Sequence, residues 1–304
     1  MQFSVWPSND RPWGETLELA RWTEQAGFQS FWYADHFMSQ PDDTNGPERG
    51  NDPSMEAWTI LTAIGALVPR VRLISMVSPI TIHHPVVLAK RVATLDLIAP
   101  GRVVLGLGAG WQVNEHQAYG IQLPAPGLRV DRFAEAIEVV SQLLHNDRAD
   151  FHGQYYALSD APFVPKPAAL PLLVGTASPR MLRLTARFAD EWNTWGDPDV
   201  VRQRTIGFTT ACHQEGRDPA TIHRSAQAMI FLTKDNATRD KLRSRVPAGR
   251  SLVGSASELV DLIGGYVEQG LDEFALPDFT LGKTVEARRE VLEILRADVV
   301  SAFA

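Results

Sequence analysis

The chain has very little of what disulfide scaffolds and metal centres require. It contains one cysteine, Cys212, in 304 residues, so an intrachain disulfide is excluded. Cys212 falls in a helical stretch without an adjacent base, which favours a buried thiol over a nucleophile. Cysteine and histidine form no cluster at metal-ligand spacing, and His83 and His84 lack an evident third ligand. We therefore expect no metal site.

Excess basic charge and long apolar runs are also lacking. The net charge of −7 and the pI near 5.6 leave no basic surface for nucleic acid or an anionic membrane. No run approaches membrane-spanning length, and the sequence opens on a strand-like segment, 2–6, instead of a charged leader. With 44% hydrophobic and 21% charged residues, the composition is that of a globular protein. We expect a cytoplasmic protein that binds a small molecule, and neither nucleic acid nor a membrane.

Short apolar segments alternate with amphipathic helical segments along the whole chain. Because eight strand–helix units fit within this length, the pattern predicts a (β/α)8 TIM barrel with insertion loops instead of a doubly wound sheet. No linker-like change in composition occurs, so we expect a single domain over 1–304. The long segments 37–53 and 146–169 are the insertions, and the first falls at the carboxyl end of the barrel, where active sites form. The predicted strands cover 2–6, 28–35, 71–77, 102–109, 172–175, 191–195, 225–233 and 273–276.

An Asp-His pair, Asp35 and His36, closes the second predicted strand. Two acid/base side chains at the carboxyl end of a strand are costly to bury and suit a cofactor cleft. A capping aspartate beside a structural histidine would leave the same sequence, and both interpretations stay open.

The fourth predicted strand ends in a Gly-x-Gly-x-Gly run over 106–110, followed by Trp111 and Asn114. This spacing differs from the dinucleotide-binding fingerprint. The glycines would let a planar ring approach the backbone, and Asn114 could hydrogen-bond to heteroatoms of that ring. A tight turn from strand to loop explains the glycines equally well.

The fifth predicted strand leads through Gly175, Thr176, Ala177 and Ser178 into a helix. Backbone N–H groups and the positive end of the helix dipole would face an anion there. A plain N-cap by Ser178 ahead of Pro179 accounts for the same residues.

Taken in order, these motifs resemble the bacterial luciferase-like superfamily, and specifically its F420-dependent oxidoreductase branch. The resemblance rests on four separated motifs: Asp-His-Phe at 35–37, Ser-Met-Val-Ser-Pro at 75–79, the glycine run with Asn114 and Glu115, and Val-Gly-Thr-Ala-Ser at 174–178. It covers nearly the whole chain.

The resemblance implies roles for these residues. Asp35 and Asn114 would contact the deazaflavin ring of coenzyme F420, with His36 as the acid/base residue. Ser75 and Met76 would support the ring through a non-proline cis peptide bond, assigned to Ser75–Met76. The segment 175–178 would hold the cofactor phosphate, and a homodimer would be common among such proteins.

Two departures from the resemblance concern the substrate. Trp111 stands where sugar-phosphate dehydrogenases of the branch carry a glutamate, and Trp195 stands where they carry basic residues for the substrate phosphate. A phosphosugar is therefore not expected. Trp6, Trp111 and Trp195 predict an aromatic, apolar pocket wall, although tryptophans of the core would look the same.

The sequence thus predicts an oxidoreductase that transfers a hydride between F420 and a small, apolar alcohol, carbonyl compound or enone. An FMN-dependent monooxygenase, which uses reduced FMN and oxygen, is the alternative from the same fold. A catalytically silent cofactor carrier is the alternative from another class.

Overall fold

Eight parallel strands close into a barrel in the computed structural model, which describes residues 1–39 and 54–303. Each strand pairs with the next, and the last pairs with the first, so that Gln2 lies beside Glu273. The predicted (β/α)8 barrel is confirmed. The barrel strands are β1 Gln2–Trp6, β2 Ser30–Tyr33, β3 Arg72–Ser75, β4 Val103–Gly108, β5 Leu172–Gly175, β6 Glu191–Trp195, β7 His223–Gln227 and β8 Glu273–Pro277.

Helices flank the barrel, a 3-10 turn at Pro219–Thr221 precedes β7, and turns of π and 3-10 geometry follow the last helix over Leu295–Phe303. The helices within the described residues are α1 Trp13–Gln25, α2 Ala57–Leu67, α3 Pro85–Ile98, α4 Val113–Ala118, α5 Pro126–His145, α6 Pro179–Phe188, α7 Pro198–Gln214, α8 Asn236–Arg243, α9 Ala256–Glu268 and α10 Val285–Ile294. Among the helices of residues 1–39 and 54–303, none has the length and apolarity needed to cross a bilayer.

Helix α2 begins later than its sequence indicates. Ser54 matches the usual N-cap preference, but the N-cap is Glu56, whose carboxylate accepts hydrogen bonds from the backbone N–H groups of Trp58 and Thr59. A glutamate is an uncommon N-cap, so the usual capping preferences pointed to the serine.

The seventh predicted strand, 225–233, is wrong as a single strand. It breaks at Ala228: β7 ends at Gln227, and Met229–Leu232 leaves the barrel to pair in parallel with Ser251–Gly254. The segment 146–169 also has structure that was not predicted, because Arg148–His152 and Ala157–Pro162 form an antiparallel hairpin. Within the other insertion, residues 40–53 lie outside the described residues.

The barrel interior is filled at its amino end and in its middle. An ion cluster occupies the amino end, where Arg72 contacts Glu191 and Glu273 and His223 hydrogen-bonds to Glu273 at 3.2 Å. Above it lies an apolar layer of Trp32, Ile74, Val104, Leu173 and Ala275. The interior therefore opens only toward the carboxyl ends of the strands.

Candidate active site

A cavity of about 810 Å³ lies over the carboxyl ends of the barrel strands. This volume is in the range of small-molecule sites, which are about 300–1,000 Å³. Most of the predicted site residues line it: Trp6, His36, Met76, Trp111, Gly175, Thr176, Ala177, Ser178 and Trp195. Asp35, Ser75 and Asn114 are absent from the wall.

The segment after β3 forms one wall of the cavity through Met76 and Val77. The non-proline cis peptide bond joins these two residues, so the assignment to Ser75–Met76 was wrong by one position. Ser75 lies beneath the segment, where its buried hydroxyl donates to the carbonyl oxygen of Gly106 at 3.1 Å.

Three glycines, which have no Cβ atom, leave room for the Met76–Val77 segment. A Cβ on Gly108 would lie 2.7 Å from Cγ2 of Val77, and one on Gly175 would lie 3.3 Å from Cγ1. A Cβ on Gly106 would lie 1.9 Å from the carbonyl oxygen of Ser75. The glycine run of β4 therefore serves close packing against the Val77 segment, while Gly108 and Gly175 also face the cavity.

His36 lies on the cavity wall with its ring held from one side. Its Nδ1 is 2.8 Å from Oε1 of Glu115, and the other oxygen of Glu115 accepts the backbone N–H of Phe37 at 2.8 Å. Glu115 is buried on α4, whereas the His36 side chain is 18% exposed. Since a carboxylate only accepts, it fixes the proton of neutral His36 on Nδ1 and leaves Nε2 as the free acceptor.

The pairing of His36 with Glu115 could not be predicted from the sequence. Glu115 belongs to a recognised motif, but its contact with His36 joins residues 79 positions apart and depends on the fold.

Asp35 lies behind the wall and is fully buried. Its Oδ2 accepts hydrogen bonds from Ser78 Oγ at 2.6 Å and from His83 Nε2 at 2.8 Å, while Oδ1 has no partner within the described residues. Burial by itself would raise the pKa of Asp35, but the hydrogen bonds and charge of His83 outweigh it and lower the pKa. Ser78 in turn accepts the indole N–H of Trp58, so Asp35 anchors β2 to the next unit.

Asn114 does not line the cavity, and its side chain contacts the start of the long loop that follows β2. Its amide group donates to the carbonyl oxygen of Ser39 at 2.9 Å. Its predicted contact with a cofactor ring stays a prediction.

The amino-terminal end of α6 faces the cavity through Thr176, Ala177 and Ser178. Ser178 is the N-cap residue, but its side chain makes no capping hydrogen bond. The Ser178 N–H donates to Thr176 Oγ1 at 3.3 Å, Pro179 has no N–H, and among residues 1–39 and 54–303 no side chain caps the N–H groups that follow in the first turn, which suits an anion.

Aromatic rings form the opposite wall. Trp6 packs edge-on against Trp195 and Phe279, with ring centroids 5.4 Å apart in both pairs. Trp111 lies at the rim, 52% exposed, and meets the His36 ring edge-on at 5.4 Å.

Three arginines that the sequence analysis did not single out also line the cavity. They are Arg129, Arg204 and Arg250. Arg129 donates to the carbonyl oxygen of Gly110 at 2.6 Å, on the side of β4. The wall is therefore less apolar than its tryptophans indicated.

Fold and cavity together define a (β/α)8-barrel protein with a cavity of small-molecule size at the carboxyl end of the barrel. The sequence model of the luciferase-like monooxygenase family matches residues 1–252, and the chain belongs to this family.

Curated relatives differ in activity, and two of them are F420-dependent dehydrogenases of different substrates. An F420-dependent glucose-6-phosphate dehydrogenase of Kineococcus radiotolerans is 34% identical over 232 residues, 74% of this chain and 66% of the relative. An F420-dependent hydroxymycolic acid dehydrogenase of Mycobacterium tuberculosis is 30% identical over 220 residues, 72% of this chain and 59% of the relative. The matched part of the chain thus spans less than two thirds of the length of these relatives.

Solved structures share the fold over nearly their whole length. An F420-dependent secondary alcohol dehydrogenase, in complex with an F420–acetone adduct, superposes with a TM-score of 0.83 at 21% identity and covers 99% of this chain and 98% of its own. Monooxygenase RslO1 from Streptomyces bottropensis has a TM-score of 0.81 at 20% identity, with both chains fully covered. At these identities the likeness concerns the fold.

Proposed function

We propose that this protein is an oxidoreductase that transfers a hydride between coenzyme F420 and a small organic substrate. One observation carries the proposal: a single cavity joins the Met76–Val77 segment, the uncapped end of α6 and the His36–Glu115 pair. The F420-dependent dehydrogenases among the curated relatives support this cofactor.

The residues present fit a flat cofactor with a phosphate. Met76, Val77 and the backbone of Gly108 would hold the ring, because no side chain projects from the glycine into that space. The first-turn N–H groups of α6 and the segment 175–178 would hold the phosphate. When bound, F420 supplies or accepts the hydride.

The protein's own task is to handle the proton. In the reducing direction, protonated His36 would donate from Nε2 to the substrate oxygen that gains negative charge. In the oxidising direction, neutral His36 would accept the alcohol proton at the same atom. Glu115 orients the ring in both directions, because its hydrogen bond to Nδ1 keeps Nε2 turned away from it.

The test is a titration of the purified protein with F420 and, separately, with FMN, followed by cofactor fluorescence. We expect saturable binding of F420 and at least tenfold weaker binding of FMN. Tighter binding of FMN, with oxygen-dependent turnover of the reduced flavin, would replace the proposal by a flavin monooxygenase. Binding of F420 without turnover of any carbonyl, enone or alcohol would indicate a carrier.

A further inference from the structure

Arg204 extends into the cavity from α7. It lies in the helix stripe that contains the buried residues Val201 and Phe208, where an arginine is out of place. Its Nη1 donates to Thr194 Oγ1 at 3.1 Å and to the carbonyl oxygen of Trp195. These acceptors fix the guanidinium at the end of β6 but carry no charge that would neutralise it.

Arg250 approaches the same tryptophan from the loop before Ser251–Gly254. Its guanidinium carbon lies 5.0 Å from the centroid of the Trp195 ring, so the two arginines flank Trp195. Burial, and then the positive charge of Arg250, lower the pKa of Arg204. The lowered pKa fits two cations that lie close together at one end of the cavity.

Neither guanidinium has a carboxylate within 4 Å among residues 1–39 and 54–303. Other arginines of the chain do have one: Arg11 pairs with Asp278, Arg72 with Glu191 and Arg180 with Asp131. Arg204 is half-buried beside a second cation at a largely apolar cavity, so its charge costs free energy until an anion joins the pair, whereas the exposed Arg250 is better solvated. Oxyanions are the ligands that guanidinium groups bind best.

We propose that Arg204 and Arg250 form a subsite for an oxyanion group of the substrate, a carboxylate or a phosphate. The substrate of the proposed hydride transfer, on which this inference rests, is then an anionic molecule instead of a purely apolar one. Its apolar body lies against Trp6, Trp195 and Phe279, which share the wall with both arginines.

Calorimetric titration of the full chain with three small probes tests the subsite without turnover. Benzoate and phenyl phosphate carry the two oxyanions, and benzyl alcohol is the neutral counterpart. We expect one or both anions to bind at least about tenfold tighter than benzyl alcohol, as charge-assisted hydrogen bonds predict. The stronger of the two anions identifies the oxyanion of the substrate.

Variants locate the binding. Arg204→Gln and Arg250→Gln should each weaken the anion about tenfold or more and leave benzyl alcohol unchanged. The matched control is Arg202→Gln, which removes an exposed arginine of the same helix that pairs with Asp199. Arg250 is exposed, so Arg250→Gln keeps the test valid even if Arg204→Gln fails to fold.

Two results would overturn the subsite. The first is equal binding of the anions and of benzyl alcohol. The second is anion binding that is lost in Arg129→Gln but kept in Arg204→Gln and Arg250→Gln, because the anion would then bind away from Trp195. Failure of F420 to bind in a separate titration would refute the proposed function and leave the measured anion site standing.

Discussion

His36 and Glu115 show how one contact prepares a side chain for proton transfer. The histidine lies on the cavity wall and the glutamate is buried behind it, with 2.8 Å between Nδ1 and Oε1. Because the second oxygen of Glu115 also accepts the N–H of Phe37, the carboxylate cannot turn away without losing a backbone partner. The imidazole is therefore held in one orientation and one tautomer.

Removing the His36 side chain should lower turnover strongly and leave the affinity for F420 nearly unchanged. For His36→Ala we expect turnover to fall by roughly 10²–10⁴-fold, the range for general acid–base groups, with an unchanged F420 dissociation constant. Glu115→Gln should lower kcat by roughly tenfold to a hundredfold, as misplacement of a catalytic group does. Steady-state kinetics and F420 titration check both.

The double variant His36→Ala/Glu115→Gln tests whether Glu115 acts by positioning His36 or only by stabilising the fold. If Glu115 acts through His36, the double variant is no slower than His36→Ala. A further loss equal to that of Glu115→Gln alone would show that Glu115 acts independently. Gln117→Ala, an exposed change on the same helix, is the control.

Single residues differ in how far the sequence reveals them. His36 could be predicted because it stands at the end of a strand that the apolar pattern marks. Glu115 could not, because its role depends on a contact across the barrel. Arg204 does leave a signal in the sequence, because it is a cation within the apolar stripe of α7.

At the scale of elements, β4 and the segment after β3 pack closely together only because β4 carries glycines at the contact. Val77 fills the space that Gly106, Gly108 and Gly175 leave free. The glycine run was expected at a strand end, where a ring contact and a tight turn were the alternatives, and close packing against the segment after β3 was not predicted. The structure shows the packing, because the missing Cβ atoms would meet Val77.

Gly108→Ala tests this dependence. The new methyl group would press on Cγ2 of Val77, so the unfolding free energy should fall by about 1–3 kcal/mol, as for an overpacked core, and F420 binding should weaken. Adding Val77→Ala should restore most of both, as measured by urea unfolding and cofactor titration.

Gly14→Ala, where the added Cβ meets nothing within 4 Å, is the matched control for Gly108. If the double variant binds F420 no better than Gly108→Ala, the steric contact with Val77 is not the reason for the glycine.

The positions of the strands were largely predictable from the sequence, but the point at which a predicted strand divides was not. Every barrel strand overlaps a segment that the sequence pattern predicted, although β7 begins at His223 and ends at Gln227 within or beside the predicted 225–233. The division at Ala228 escaped prediction because no glycine, proline or charged residue interrupts 225–233, and only the pairing of Met229–Leu232 with Ser251–Gly254 separates the two halves.

At the scale of the whole molecule, the two ends of the barrel have different tasks. The amino end contains the ion cluster of Arg72, Glu191, His223 and Glu273, and the carboxyl end contains the cavity. A change in the cluster should therefore alter stability without altering cofactor binding.

His223 gives this separation a pH dependence. Burial alone would lower its pKa, but the hydrogen bond to Glu273 and the charges of Glu191 and Glu273 raise it. A raised folded pKa means that His223 stabilises the fold fully below its unfolded pKa of about 6.5, and that this contribution is lost as the pH rises through the folded value.

His223→Gln should accordingly lower the unfolding free energy by about 1.5–3 kcal/mol near pH 5.5, the value of a hydrogen bond to a charged group. The difference from the wild type should shrink at alkaline pH, and F420 affinity should not change. Urea unfolding at a series of pH values measures it, with exposed His145→Gln as control. A difference that grows with pH would contradict the assignment.

The most direct test of the central claim is a crystal structure of the protein grown with F420. The ring should lie against Met76 and Val77, within reach of Nε2 of His36, and the phosphate should meet the N–H groups at the start of α6. F420 bound elsewhere, or a phosphate that contacts Arg204 and Arg250 instead of α6, would contradict the claim.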